Sequence, residues 1–269
     1  LSTTSGDAGN LTLPAADISV SGNLQVGRST NTAALTVYSN TSADRTVEVD
    51  GNLSVNGTGG AATIFQLANG SAYDITVDGN ISLNSNATWN IENAGADIHT
   101  ISLGGDLTNN GSLDWTTSSG GLANITFTGA ADNSISGSGT TSDFNKVTLD
   151  KGTNQTYVLD VNLSSLTIAN DSLVLENGTL RLDDAQTITL ASSGSFEIPF
   201  GAQLYLNGAD VQTTSSADVR LDGKLRIANG SSLTVDGDLE YSPTGTPEFQ
   251  IQGGASSATI NGQFRRPSS

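Results

Sequence analysis

A strand-turn-strand unit recurs along this chain and constrains its fold more than any other feature of the sequence. The clearest copy is residues 75–84, where apolar residues alternate with small polar residues on both sides of Gly79. Alternation with a period of two is the pattern of a strand that has one buried and one exposed face. A glycine flanked by such alternation would ordinarily predict a tight hairpin. Similar units surround Gly22, Gly51, Gly104, Gly223 and Gly237.

The spacing of the units favours a different fold. Successive central glycines are 29, 28, 25 and 25 residues apart, and they are Gly22, Gly51, Gly79, Gly104 and Gly129. A repeat of this length is typical of solenoids, and one coil of a parallel β-helix needs about that many residues for two or three short strands. Each glycine is then a corner, and each strand pairs with its equivalent one coil away. We therefore predict an all-β, right-handed parallel β-helix (β-solenoid) of about ten coils, with the hand taken from the general crossover preference.

The repeat runs nearly from end to end, which predicts a single domain over residues 1–269. Residues 1–10 are small and polar, and we expect them to form an N-terminal cap. Pro243 and Pro247 interrupt the alternation, and proline does not donate to a central ladder. Residues 243–269 are therefore predicted to form a less regular C-terminal end.

Charge and composition exclude several classes of function. The chain has 27 acidic and 10 basic residues, a net charge of −17, and no basic stripe, so we expect no nucleic-acid partner. No apolar run approaches the length of a membrane span. Cysteine is absent, which removes disulfides and thiolate metal sites.

Two segments, residues 143–152 and 166–180, resemble the repeat regions of large secreted surface proteins of bacteria. In those regions Phe-Asn-x-hydrophobic segments alternate with Leu-x-Val strands and Asn-Gly-Thr-Leu turns, as they do here. The scarcity of lysine and abundance of asparagine would equally suit an archaeal surface protein. The resemblance implies a parallel β-helix of the adhesin or surface-fibre kind, located outside the cell. Its expected partners are other copies of itself or other surface proteins, joined end to end.

Asparagine sequons are unusually frequent. Of the 24 asparagines, 14 begin an Asn-x-Ser/Thr triplet. One interpretation is a glycosylated outer-surface protein. The alternative is that an asparagine at a corner, followed by strand alternation, places Ser or Thr two residues later without any modification. The candidate glycosylation sites are Asn52, Asn69, Asn80, Asn110, Asn177 and Asn229.

Aspartates flank several corner glycines, namely Asp50, Asp78, Asp106 and Asp236. If equivalent corners stack about 5 Å apart, like charges repel unless a cation lies between them or they point into water. Calcium would suit such oxygen ligands, so the sequence allows a calcium site at the corners. Solvated turn residues are the alternative, with Asn52 and Asn80 providing uncharged ladders.

Two tryptophans, Trp89 and Trp115, follow Phe65 at intervals of 24 and 26 residues, close to one coil. If exposed, they would make a platform on which sugars stack, and they are therefore glycan-stacking candidates. The alternation instead places Trp89 on the same face as Ile91 and Trp115 on the same face as Leu113, which favours an interior aromatic ladder.

The residues that catalysis needs are sparse. The histidine, His99, lies in a strand-like segment, and the adjacent pair Asp183-Asp184 would point to opposite faces of a strand. We predict that the chain is not an enzyme and holds no cofactor apart from the calcium considered above. The predicted function is a non-catalytic extracellular structural or adhesive solenoid, either a rigid stalk or a subunit of a fibre or cell-surface layer. The alternatives are a glycan-binding module and a polysaccharide lyase or hydrolase on a β-helix scaffold.

Overall fold

A computed structural model describes residues 9–27, 34–39, 43–57, 62–68, 70–92, 97–116, 121–163, 166–183, 186–242 and 246–266. These residues form an all-β structure without helices, in which parallel strands stack as a β-solenoid of about nine turns. The predicted fold class is confirmed, with one turn fewer than the repeat suggested. The described residues contain no helix that is long and apolar enough to cross a membrane. The hand of the coil stays a prediction.

The chain divides into two compact units. The first unit comprises Leu1–Thr126, Ile135–Asn145 and Ser165–Thr167, and the second comprises Phe127–Ser134, Lys146–Ser164 and Ile168–Ser269. That residues 1–269 form a single domain stays a prediction.

Sixteen short strands build the first unit, with the last residue of β14 and the first two of β15 assigned to the second. They are β1 (Gly9–Thr12), β2 (Ile18–Val20), β3 (Leu24–Gly27), β4 (Leu35–Tyr38), β5 (Arg45–Val49), β6 (Leu53–Asn56), β7 (Thr63–Leu67), β8 (Tyr73–Val77), β9 (Ile81–Leu83), β10 (Ala87–Ile91), β11 (Ile98–Leu103), β12 (Leu107–Asn109), β13 (Ser112–Asp114), β14 (Leu122–Phe127), β15 (Asn133–Gly137) and β16 (Thr141–Phe144).

Every third strand of the first unit pairs in parallel, which gives the coil three faces. One face runs β1-β4-β7-β10-β13-β16, a second runs β2-β5-β8-β11 and a third runs β3-β6-β9-β12-β15. Val47 pairs with Ile75, which pairs in turn with Ile101. The alternation therefore stacks apolar residues on apolar residues, and all three of these side chains are buried.

The register corrects one detail of the repeat. Leu103 pairs with Val77, and Leu107 pairs with Ile81, so the residue equivalent to Gly79 is Gly105. The spacing of the repeat predicts Gly104 instead, because alternation alone does not say which of two neighbouring glycines occupies the corner.

The second unit continues with the remaining strands. They are β17 (Lys146–Asp150), β18 (Val158–Leu163), β19 (Thr167–Ile168, at the division between the units), β20 (Leu173–Asp183), β21 (Thr187–Ala191), β22 (Ser195–Ile198), β23 (Ala202–Asn207), β24 (Asp210–Thr213), β25 (Asp218–Leu221), β26 (Lys224–Ala228), β27 (Ser232–Val235), β28 (Leu239–Tyr241), β29 (Glu248–Ile251), β30 (Ser257–Ile260) and β31 (Phe264–Arg265).

Three parallel faces form the second unit as well. They run β18-β20-β23-β26-β29, β21-β24-β27-β30 and β22-β25-β28-β31. Strand β20 passes a corner: its first half pairs with β17 and its second half pairs with β18. Gly178, which follows the irregularity in that strand, has a φ of 100°, a value that glycine adopts without strain.

Regular pairing extends further than the prolines suggested. Strand β29 begins directly after Pro247 and pairs in register with β26, and β30 and β31 pair with β27 and β28. A proline at the entry of a strand removes no interior ladder bond, so the coil continues through Arg265. Residues 1–8 of the predicted N-terminal cap lie outside the described residues, and Gly9 and Asn10 already belong to strand β1.

Candidate functional site

The four predicted calcium ligands do not come together. Asp50 and Asp78 lie at exposed corners one turn apart, and their backbone N–H groups donate to Val20 and Val49. The next residue in that column is Gly104, whose N–H donates to Val77. A column is one residue wide, so Asp106, two residues later, belongs to a different column.

Asp236 belongs to the second unit, where it is already hydrogen-bonded. Its Oδ2 accepts the backbone N–H of Ser216 at 2.7 Å, and its Oδ1 accepts Nδ2 of Asn261 at 3.2 Å. The hydrogen bond from Ser216, followed by that from Asn261, lowers the pKa of the Asp236 carboxyl. Among the described residues, no three His, Cys, Asp or Glu side chains form a group that could hold a metal ion.

A ladder of carboxamides occupies the column that contains Asp106. The Oδ1 atom of Asn23 accepts the backbone N–H of Asn52 at 2.8 Å, and Asn52 accepts that of Asn80 at 2.8 Å. Asn80 then accepts the N–H of Asp106, again at 2.8 Å. Each side chain thus bonds the backbone of the following turn. We call these four residues the Asn ladder.

The Asn ladder requires glycine immediately before it. A Cβ atom on Gly79 would lie 2.6 Å from both Asn52 Oδ1 and the carbonyl oxygen of Gly51. Neighbouring turns therefore approach too closely at this corner for any side chain. The repeated Gly-Asn dipeptide was the signal in the sequence; the bond from each carboxamide to the next turn was not predicted.

The outer side of the Asn ladder borders a groove of about 400 Å³ in the first unit. Its second wall is formed by the outward side chains of strands β6, β9 and β12, which are Ser54, Ser82 and Thr108. These residues pair in register, so the hydroxyls repeat with the spacing of parallel strands, about 4.8 Å. The groove is lined by amides and hydroxyls, with Asp106 as its charged residue.

One corner of the second unit, where the chain enters strands β25 and β28, uses carboxylates. Asp218 Oδ1 accepts the backbone N–H of Asp238, and Asp238 Oδ1 accepts that of Gln263, each at 2.7 Å. Arg265 lies against the same ladder, with its Nε 2.7 Å from Asp238 Oδ2. We call Asp218 and Asp238 the Asp ladder.

Ion pairs link successive turns of the second unit. Arg220 is 3.3 Å from Glu197 in the preceding turn and 2.9 Å from Glu240 in the following turn. Lys224 is 3.3 Å from Glu248. These pairs join residues that are 20 to 24 positions apart, about one turn of the coil. Opposite charges at that spacing were the signal that sequence reasoning missed.

A second charged group on this unit surrounds Arg181. Its guanidinium pairs with Asp160 in the previous turn and lies 3.1 Å from Asp183 on its own strand. Partial burial raises the pKa of the Asp160 carboxyl, and the hydrogen bond from Arg181 opposes that shift. Of the adjacent pair Asp183-Asp184, Asp183 is engaged with Arg181 and Asp184 lies outside the described residues.

The tryptophans do not form a sugar-stacking platform. Trp89 and Trp115 are both fully buried, so the glycan-stacking assignment is wrong. They stack inside the first unit between Phe65 and Phe144, with successive ring centroids 5.0, 5.1 and 5.5 Å apart. The parity of both tryptophans with apolar neighbours was the correct signal, because side chains of equal parity share one face of a strand.

His99 is also an interior residue. Its Nδ1 accepts the backbone N–H of Tyr73 at 3.1 Å, and the imidazole is fully buried. Burial lowers the pKa of His99 to about 4, although the nearby Asp97 acts in the opposite direction. The imidazole is therefore neutral at pH 7 and has no access to a substrate.

The six candidate glycosylation sites differ in how their side chains are used. Asn52, Asn80, Asn110 and Asn229 are exposed, and Asn69 lies outside the described residues. Nδ2, the atom that a glycan would modify, donates to Asp150 Oδ1 at 2.9 Å in Asn177 and to Asn207 Oδ1 in Asn229. In Asn110 the Oδ1 atom instead accepts the N–H of Ser138 at 3.0 Å. Glycosylation of these residues stays a prediction.

Comparison with known proteins adds no relative: no family model, no curated protein and no solved structure matches this chain.

Proposed function

We propose that this chain is a non-catalytic structural or adhesive β-solenoid of an extracellular surface, acting as a rigid stalk or as a subunit of a fibre or cell-surface layer. The observation that carries this proposal is how the polar side chains are used. Several polar side chains of the kind that bind ligands are bonded to the next turn of the coil, as Asn52 is in the first unit and Arg220 is in the second. Side chains of the kind that bind a ligand in an enzyme here hold neighbouring turns of the coil together.

The interior supports the same conclusion. Each turn covers the apolar row of the turn before it, as Ile75 covers Val47. Burying one such side chain stabilises the fold by roughly 1.5–3 kcal/mol. Stability in a stacked repeat is then approximately the sum of these nearest-neighbour terms, which suits a protein with a mechanical role.

The last described turn supports association with a second copy of the chain. Its core-facing residues Ile251 and Phe264 are 46% and 57% exposed, whereas Ile227 and Leu239, their partners one turn earlier, are fully buried.

The extracellular location rests on the sequence. Support comes from the resemblance to secreted surface proteins and the abundance of Asn-x-Ser/Thr triplets. A net charge of −17 favours solubility and makes copies of the chain repel one another. We therefore expect salt to promote assembly.

Light scattering and electron microscopy over a concentration series test the proposal. We expect the purified chain to form elongated oligomers as its concentration rises, and we expect Ile251→Lys to reduce that association. Phe200→Lys is the matched control, because Phe200 is an exposed apolar residue outside the last turn and its loss leaves the proposed contact intact. A chain that stays monomeric at every concentration and salt would contradict assembly with itself.

A separate assay addresses catalysis. The chain is incubated with acidic and neutral polysaccharides, and reducing ends and unsaturated products are measured. We expect neither product, because His99 is buried and the carboxylates of Asp160 and Asp183 are paired with Arg181. Release of either product would overturn the non-catalytic part of the proposal.

A further inference from the structure

The Asn ladder presents a row of fixed hydrogen-bond donors to solvent. A backbone N–H can only donate, so the side-chain atom that faces it in each ladder bond is the amide oxygen. Because Oδ1 is held in this way, Nδ2 of Asn23, Asn52 and Asn80 points away from the backbone. Within the described residues these three Nδ2 groups donate no hydrogen bond, and all three side chains are exposed.

The donors are pre-organised. Each carboxamide is fixed by a 2.8 Å bond to the next turn, so a ligand that accepts from Nδ2 does not have to order the side chain first. Fixing a free side chain on binding typically costs about 0.5–1.5 kcal/mol, and this term is largely absent here. The row also repeats with the coil, at about 4.8 Å per turn.

Hydroxyls complete the surface. Ser54, Ser82 and Thr108 line the groove beside the carboxamides, and a hydroxyl both donates and accepts. The groove therefore offers amide donors along one side and donor-acceptor groups along the other. A ligand that matches both columns must itself carry groups that donate and accept, repeated along its length.

Charge narrows the class of ligand. Among the described residues that line this groove none is basic and the charged one is Asp106, so we expect an anionic polymer to be repelled. A peptide strand is not favoured either, because the groove lies on the face of a sheet whose backbone groups are bonded along β6, β9 and β12. A neutral polyhydroxylated chain matches the hydrogen-bonding groups of both columns and is not repelled by Asp106.

We propose that this groove binds a neutral linear polysaccharide, which lies along the Asn ladder and accepts hydrogen bonds from the carboxamides. Each bond contributes modestly, and affinity comes from several turns engaged together. The inference concerns a different surface from the buried tryptophans, and it does not rest on the structural role proposed above.

The test uses affinity electrophoresis and calorimetry with soluble probes. The neutral probes are an α-glucan, a β-glucan and a galactomannan, and the charged probes are polygalacturonate and chitosan. We expect binding to at least one neutral probe and none to polygalacturonate. If no neutral probe binds the intact chain at millimolar sugar concentration, the proposal is wrong.

A double variant, Asn52→Asp with Asn80→Asp, isolates the donors. Aspartate keeps the oxygen that accepts the backbone N–H, as Asp218 and Asp238 do in the second unit, but it has no Nδ2. We expect at least a tenfold loss of affinity. The control is Asn154→Asp with Asn170→Asp, which adds the same charge at exposed residues outside the groove and should bind like the unmodified chain.

A second variant guards against a folding defect. Ser54→Ala with Ser82→Ala removes two groove hydroxyls without touching the Asn ladder, and we expect at least a threefold loss of affinity. Circular dichroism confirms that each variant remains folded. Retained binding in both double variants would show that the polysaccharide lies elsewhere and would overturn the assignment of this groove.

Discussion

The Asn ladder of the first unit is built mainly from carboxamides, whereas the Asp ladder of the second unit is built from carboxylates. Asn52 and Asp218 bond the backbone in the same way, since the side chain of each accepts a backbone N–H of the following turn. What differs is the atom left facing outward. The amide leaves a donor, and the carboxylate leaves a second acceptor with a negative charge. One backbone geometry therefore supports two different surfaces.

The basic residues follow the same division. Eight of the ten lie in the second unit, where Arg265 reaches Asp238 in the Asp ladder and Arg220 reaches two glutamates. The carboxamides of the Asn ladder are neutral, so they need no counterion, whereas Asp238 of the Asp ladder is paired with Arg265.

The largest expected effect tests what the two corners share. Gly79→Ala and Gly237→Ala each force a Cβ against the neighbouring turn, 2.6 Å from the Gly51 carbonyl oxygen in one case and 2.5 Å from that of Ser216 in the other. We expect each variant to lose about 2–4 kcal/mol of unfolding free energy, from overpacking and a broken ladder bond. Urea denaturation measures the loss. The control is Gly22→Ala, which meets nothing within 4 Å and should change stability by less than about 0.5 kcal/mol.

The second prediction concerns how the unfolding free energy depends on pH through an interior residue, His99. The folded-state pKa of His99 is lowered from 6.5 to about 4, so the unfolded chain binds the proton more readily, and stability falls as pH drops between those values. Between pH 7 and pH 5 this residue alone removes about 2 kcal/mol. Measurement stops at pH 5 because the isoelectric point is about 4.1.

His99→Gln serves as the reference for that pH series, since glutamine can still accept from Tyr73 but does not titrate. Its unfolding free energy should decrease about 2 kcal/mol less than that of the unmodified chain over the same interval. Parallel curves for the two proteins would show that His99 does not carry the effect.

The third prediction compares the ladders directly. Asn80→Ala and Asp238→Ala each leave a backbone N–H without its acceptor, that of Asp106 in one case and that of Gln263 in the other, and we expect a loss of about 1–2 kcal/mol. The losses should respond differently to salt. Because Asp238 also pairs with Arg265, its loss shrinks at 1 M NaCl, whereas that of Asn80 stays constant. Equal salt responses would contradict the proposed difference between the Asn ladder and the Asp ladder.

The smallest effect belongs to the ion pairs of Arg220, one with the exposed Glu197 and one with the buried Glu240. Arg220→Gln removes contacts to Glu197 and Glu240, but the arginine side chain is half exposed and such pairs contribute about 0–1 kcal/mol. We expect a loss below about 1 kcal/mol in dilute buffer that disappears at 1 M NaCl. A loss that persists at high salt would mean that packing of the arginine stem, and not its charge, stabilises this face.

Much of the fold could be predicted from the sequence, because the alternation and the spacing of the glycines are local properties of the chain. Gly79 was identified as a corner, and Trp89 was placed on the apolar face by parity alone. The pairing register of neighbouring strands was harder to predict from the sequence. The adjacent pair Gly104 and Gly105 left the corner ambiguous by one residue, so the column to which Asp106 belongs could not be fixed from the sequence.

The candidate site was harder to predict, since it depends on bonds between turns. The sequence shows that Asn52 and Asn80 follow a glycine, but not that Asn23 begins the same column or that the oxygens face the backbone. Likewise, Arg220 meets its glutamates because the turns of the second unit are about 20 residues long. Such contacts appear only once the length of every turn is known.

The stacked indoles of Trp89 and Trp115 have a practical consequence. They are the two tryptophans of the chain, they meet edge to face at 5.1 Å, and both belong to the first unit. Two such chromophores in van der Waals contact couple their electronic transitions, so they give a near-ultraviolet dichroism signal that vanishes when the rings separate. Far-ultraviolet dichroism, in contrast, reports on strands throughout the chain. Recording both signals in one titration would reveal which half melts first, without any label.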